Sequence, residues 1–253
     1  MSTASSVSDT WIRRFHPAAD RVPRLVALPH AGGSASFWFP LSAALKERVE
    51  VLGVQYPGRQ DRRTEPLIDD IETLAERITE ALDPWLDEQL PLILFGHSMG
   101  AVLGFEVARR LRIPPAALIA SGRRAPDRQR DERVHLLDDA GLAAELRSMS
   151  GTDASLLAND EVLQMVLPAL RADYRAIETY RCTPGAPLEC PITVLIGDRD
   201  PKVTLDEATA WRDHTNGTFA LHTFTGGHFY LTEHQAAVTA RIADAIDAVT
   251  GRG

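Results

Sequence analysis

The sequence predicts an α/β fold, a mostly parallel, doubly wound sheet with one helical insertion. Short, continuously apolar runs alternate with longer segments of helical period, the pattern of right-handed βαβ units. The apolar runs show no polar alternation, as expected of strands covered on both faces. The alternation is interrupted once, over residues 127–188, where helical pieces occur and no strand is visible. A chain of 253 residues with 44% hydrophobic residues can bury one sizeable core. Residues 1–253 are therefore read as a single domain, with 127–188 inserted within it as a helical lid.

Residues 1 to about 10 are polar and read as a tail. RLVALPH (24–30) is the first buried strand and VEVLGVQY (49–56) the second, ended by Pro57 and Gly58. In 68–86, Ile68, Ile71, Leu74, Ala75, Ile78 and Leu82 fall on one helical face. PLILFGH (91–97) is a third strand, followed at once by a helix over 99–111. AALIASG (116–122) is a fourth. The insertion contributes helical pieces at 141–149 and 161–180. PITVLIG (191–197), a weaker FALHTF (219–224) and a closing helix over 236–249 complete the pattern.

A net charge of −8 argues against a nucleic-acid binder. Cys182 and Cys190 have no histidine at metal-ligand spacing and read as free thiols of a reducing compartment. The N-terminus lacks a signal-peptide core, and no segment approaches the length of a membrane span. A soluble cytoplasmic protein without metal or cofactor is expected.

The chemistry is written at the end of the third strand. Gly96-His97-Ser98-Met99-Gly100 is a G-x-S-x-G pentapeptide between a strand and a helix. So tight a turn holds the serine in a strained conformation, with no room for a Cβ at either flank. It presents the hydroxyl at the carboxyl end of the sheet, where α/β folds bind ligands. A serine needs a base. His228, in the glycine-freed loop of FTGGHFYL (224–231), is the best placed of eight histidines, whereas His97 should point away from the serine hydroxyl. The base needs an orienting carboxylate, and the loop after 191–197 supplies Asp198 and Asp200. Asp200, one step further out and fixed by Pro201, is preferred to Asp198. The oxyanion donors are expected to be the backbone N–H of Met99 and that of Ala31, in the loop Pro29-His30-Ala31-Gly32-Gly33.

PHAGGSASFW (29–38), YPGRQDR (56–62), FGHSMGA (95–101), RRAP (123–126), LPALRADY (167–174), GDRDP (197–201) and GGHFYL (226–231) occur in this order. Together they resemble the type II thioesterases associated with polyketide synthases and non-ribosomal peptide synthetases. The likeness runs from about Trp11 to the C-terminus. It implies an α/β-hydrolase core with a mobile helical lid. It implies editing of misprimed or stalled acyl groups on the phosphopantetheine arm of acyl or peptidyl carrier protein domains of a megasynthase. It also implies a catalytic set of Ser98, Asp200 and His228. The phosphopantetheine belongs to the substrate, and a monomer is expected.

Leu156, Leu157, Met165 and Leu170 are candidates for an acyl channel, with lid-to-core packing as the other reading. Carrier proteins are generally acidic, and so is this chain, so docking calls for a local basic surface. Arg123 and Arg124 are the first candidates, and Arg59, Arg62 and Arg63 the second. Competing functions are a carboxylesterase acting on small oxygen esters, a cyclising release thioesterase and a binding protein of hydrolase fold.

Overall fold

The computed structural model describes residues 8, 10–18, 21–149 and 160–251. Among them, strands β1 (Ile12–Arg14), β2 (Arg24–Leu28), β3 (Glu50–Val54), β4 (Leu92–His97), β5 (Ala117–Ser121), β6 (Ile192–Gly197) and β7 (Phe219–Phe224) form one sheet of order β1-β3-β2-β4-β5-β6-β7. Every pairing is parallel except that of β1 with β3. The six expected strands are present. The seventh, β1, covers an edge with only three residues, too few to carry a periodic signal.

The described α-helices are α1 (Phe39–Leu45), α2 (Ile71–Leu82), α3 (Met99–Ala108), α4 (Asp139–Ser148), α5 (Asp160–Thr179), α6 (Leu205–Thr209), α7 (Tyr230–Glu233) and α8 (Gln235–Thr250), with short 3-10 turns between elements. Side chains leave each strand alternately to two cores. Val26, Leu28, Leu92 and Leu94 join α2 and α3 on one face; Leu25, Ala27, Ile93 and Phe95 join α1 and α8 on the other. Every residue of α3 is buried, which explains its lack of a polar stripe.

Local chemistry sets the helix ends. Asp70 caps α2 by accepting the Thr73 N–H, so Ile68 lies outside the helix, and Asp83-Pro84 follows its last turn. The expected N-terminal tail is tied down within its span: Ser8 is buried, and its hydroxyl accepts the Trp85 indole N–H at 2.7 Å.

The topology places the functional loops. The chain winds from β2 out to β3 and then returns to β4 on the other side of β2. Loops leaving β2 and β4 therefore meet where the winding reverses, the usual ligand crevice of such sheets. Residues 127–188 lie between β5 and β6 and contain α4 and α5 but no strand among the described residues. Leu142, Ala143, Leu163, Leu167 and Leu170 form a small apolar cluster there, separate from the two main cores.

Candidate active site

Ser98 stands between β4 and α3 at φ 56°, ψ −117°, a conformation costing about 1–3 kcal/mol. Close packing enforces it. A Cβ on Gly96 would lie 1.9 Å from the Gly100 carbonyl oxygen, and one on Gly100 would lie 2.2 Å from that of Leu28. The Ser98 N–H is held by the Ser121 carbonyl at 2.8 Å. A serine before a helix commonly spends its hydroxyl on capping, but Ser98 makes no side-chain cap bond. Ser98 instead lines a cavity together with His30, Ala31, Arg123, Tyr174, Ile177, Lys202 and His228.

His228 and Asp200 come from adjacent loops, because β6 and β7 end side by side at Gly197 and Phe224. The His228 Nδ1 lies 2.8 and 3.0 Å from the two Asp200 oxygens. A carboxylate only accepts, so Nδ1 carries a proton, and in the neutral ring Nε2 is then the nitrogen with the lone pair. Asp200 also accepts the Lys202 N–H at 2.8 Å, which fixes the carboxylate. Asp198 does something else: its side chain accepts the Gly226 N–H at 2.8 Å and so holds the loop that carries His228.

Met99 begins α3, with its N–H at the positive end of a ten-residue helix. Ala31 lies in the loop leaving β2, which is brought alongside by the pairing of Leu28 with Gly96. Two neighbouring amides are committed, Gly32 to Asp173 and Gly33 to the His30 carbonyl.

Two histidines beneath the site carry no signal in the motif alone. His97 does point away from the cavity. Its Nδ1 is 2.9 Å from the Ser121 hydroxyl, itself 2.6 Å from the Tyr230 hydroxyl, and its ring lies 4.9 Å from that of His228. His30 packs edge-on against Phe37 and Phe229, at 4.7 and 4.8 Å. Burial holds His97 well below the ordinary imidazole range and His30 down at about 3, with His228 adding to both effects. Both rings are thus neutral near pH 7 and add no positive charge beside His228. The register pairing of His97 with Ser121 across β4 and β5 is the physical reason for their contact.

The basic residues sit differently from the sequence expectation. Arg123 and Arg124 are only 7% and 3% exposed. Arg124 pairs with Glu132 at 2.5 Å and reaches the Lys202 carbonyl. Arg123 lines the cavity, and burial pulls its guanidinium down to about 9, with Arg124 assisting. Neither presents the outer basic surface expected from the sequence, because both side chains are buried where the chain leaves β5. Arg59 and Arg62 are buried too, leaving Arg63 as the exposed member of the second group.

Of the expected acyl-channel residues, Met165 and Leu170 do not line this cavity. Leu156 and Leu157 lie outside the described residues. Met165 is 64% exposed, and Leu170 is buried in the small cluster of the insertion. Among the described residues of the insertion, Leu146, Met149, Tyr174 and Ile177 line the cavity, together with Glu132 and Glu178. Cys182 and Cys190 are both free thiols, and burial pushes the Cys190 thiol up to about 11. Among the described residues there is no cluster of metal-ligating side chains and no helix long and apolar enough to cross a membrane.

The model of the thioesterase domain family matches residues 23–248. The chain is 54% identical over 249 residues to the "Probable cadicidin biosynthesis thioesterase" of Streptomyces griseus, covering 97% of this chain and 68% of that one. It is 52% identical over 241 residues to thioesterase PikA5 of Streptomyces venezuelae, covering 94% and 85% of the two. Among solved structures it is similar to the type II thioesterase BorB of the borrelidin biosynthetic cluster, with a TM-score of 0.89 at 52% identity over 94% of this chain and 98% of that one.

Proposed function

The chain belongs to the thioesterase family, as a type II member of the α/β-hydrolase superfamily, and from that premise we propose how it releases acyl groups from carrier proteins. The Ser98 hydroxyl attacks the thioester carbonyl carbon, and the His228 Nε2 takes its proton. Asp200 holds the Nδ1–H and stabilises the imidazolium that forms. The N–H groups of Met99 and Ala31 bind the oxyanion. Collapse expels the phosphopantetheine thiol, an easy leaving group with a thiol pKa of about 8.5, and His228 returns the proton. Water, activated by the same imidazole, then frees the acyl group as a carboxylic acid and restores Ser98.

The observation that carries this reading is that the Nδ1 of His228 rests 2.8 Å from Asp200 while His228 and Ser98 line the same cavity. Residues 127–188 serve as the lid over that cavity, and Leu146, Met149, Tyr174 and Ile177 receive the acyl chain. Arg123 meets the tethered substrate inside the cavity, not the surface of its carrier. The substrates are misprimed or stalled chains on the carrier domains of a megasynthase, in the cytoplasm.

Turnover of acyl-carrier thioesters and of a p-nitrophenyl ester with the same acyl group tests the reading. The native enzyme is expected to favour the thioester, and Ser98→Ala to lose about 10³-fold or more in kcat. Retention of activity in that variant overturns the mechanism. Preference for the oxygen ester makes the protein a carboxylesterase.

A further inference from the structure

Two motifs, YPGRQDR and LPALRADY, supply none of the residues assigned to chemistry, yet the fold brings them together. Asp173 on α5 is buried, and its Oδ2 accepts both the Gly32 N–H at 2.7 Å and the guanidinium of Arg59. Arg59 donates to the Pro57 carbonyl at 2.6 Å and lies over the Tyr56 ring. The Tyr56 hydroxyl donates to the Pro29 carbonyl at 3.0 Å. The loop leaving β2 is thus pinned at Pro29 from one side and at Gly32 from the other, with Ala31 between the two pins.

Packing repeats the message. Gly32 has φ +74°, and a Cβ there would stand 2.7 Å from Leu170 Cδ1, one turn before Asp173 on the same helix. Ala31 itself packs against the small cluster of the insertion as well as against the main core. The adjacent residue Tyr174, with Ile177 and Glu178, faces the cavity. One helix therefore both walls the cavity and grips the oxyanion loop.

We propose that Asp173 is a positioning residue that couples the seating of helix α5 to the placement of the Ala31 amide, so that the oxyanion hole is complete only when the helix is seated. The proposal rests on the reading of Ala31 as an oxyanion donor. When α5 lifts, the Gly32 N–H loses its acceptor and the loop loses its Leu170 contact in the same movement. An empty or open enzyme then has a weakened oxyanion hole, and hydrolysis is confined to the seated state.

The pair variant Asp173→Leu with Arg59→Met removes both charges together, which a buried site tolerates better than an orphaned ion. Its kcat on an acyl-carrier thioester should fall about 10²-fold, the order expected for a displaced oxyanion donor, with KM within about threefold and the thermal midpoint little changed. Asp173→Asn with Arg59→Met returns an acceptor to the Gly32 N–H and should recover kcat to within about tenfold of the native enzyme. A folded Leu/Met variant with native kcat overturns the proposal, as does failure of the Asn variant to exceed it. Hydrogen exchange on the native protein needs no variant: the Gly32 amide, held by Asp173, should be protected relative to a free loop amide, and exchange at the free-amide rate overturns the coupling. Ser98→Ala assayed beside these separates the two ideas, because residual turnover in it defeats the site assignment whatever Asp173 does.

Discussion

On the sheet side of the cavity, Ser98, His97 and His228 are held by backbone contact and ring packing. On the insertion side, the walls are held by ion pairs and a small apolar cluster. Gly96 and Gly100 sit where any added atom would strike main chain, and His97, His228 and Phe229 pack as neighbouring rings. Across the cavity, Glu132 bridges Arg124 and Lys202, Lys202 also reaches Glu145 at 2.7 Å, and Glu178 takes His135 and two backbone amides. Close packing admits one geometry, because strand ends and glycine contacts leave no alternative arrangement at similar energy. Ion pairs with one partly exposed partner are less tightly fixed by neighbouring atoms and can shift and re-form. In the proposed function, the side that positions the reacting atoms is thus built stiffly, and the side proposed to admit a tethered chain is built from contacts that can open and close.

The largest expected effect lies on the stiff side. Asp200→Asn keeps the shape but offers the His228 ring the wrong hydrogen-bonding partner, so kcat should fall by roughly 10³–10⁴. Asp198→Asn keeps an acceptor for the Gly226 N–H and should stay within about tenfold of the native enzyme. Steady-state kinetics of the two variants on one acyl-carrier substrate decide the matter. If they rank the other way, the acid is Asp198 and the Asp200 contact is structural.

The sheet side was also the legible side. Strands buried on both faces read as continuous apolar runs, and the pentapeptide around Ser98 states a geometric demand in its own glycines. The pairing of Asp200 with His228 follows from two loops leaving neighbouring strands, which the order of elements anticipates. The insertion was not legible in this way. Arginine in a Pro-rich loop after a strand reads as exposed, yet Arg124 is buried because Glu132, eight residues on, folds back onto it. The contacts of Asp173 with Arg59 and Gly32 span 114 and 141 residues, and no local pattern encodes such a separation. His30 looked like part of a glycine loop, and only its packing against Phe37 and Phe229 reveals a neutral, buried ring.

A second variant sharpens the contrast on the flexible side. Arg124→Gln removes the main partner of Glu132, a carboxylate that is only partly shielded from solvent, with Lys202 remaining. A cost of about 2 kcal/mol is expected, less than for a fully buried pair. The loss should be confined: amide exchange should quicken over residues 134–148 and stay unchanged in β4 and β5. Exchange rising equally in the central strands would show that the insertion and the sheet unfold as one unit, and the comparison would fail.

The smallest effect separates the two sides by pH alone. His30 and His97 are buried neutral, with folded-state values held below the ordinary 6.5, about 3 for His30. As the pH falls below about 6.5 the unfolded chain binds protons that the folded chain refuses, so stability falls with falling pH. Each such histidine removes up to about 1.4 kcal/mol per pH unit in that window. Glu132 behaves in the opposite register. Although burial opposes it, its bonds to Arg124 and the charge of Lys202 hold its carboxyl down at about 2, below an ordinary 4.5. Its contribution is complete above pH 4.5 and is lost only as the pH falls through about 2. Between pH 6.5 and 5 the histidine side therefore weakens while the Glu132 network keeps its strength. Denaturant unfolding at pH 7.5, 6.5 and 5.5 should show a declining stability for the native protein. The decline should be shallower by about 1 kcal/mol per pH unit in His30→Gln, whose side chain cannot titrate. Equal slopes for the two proteins would mean that His30 is protonated within the fold and carries a positive charge beside Ser98.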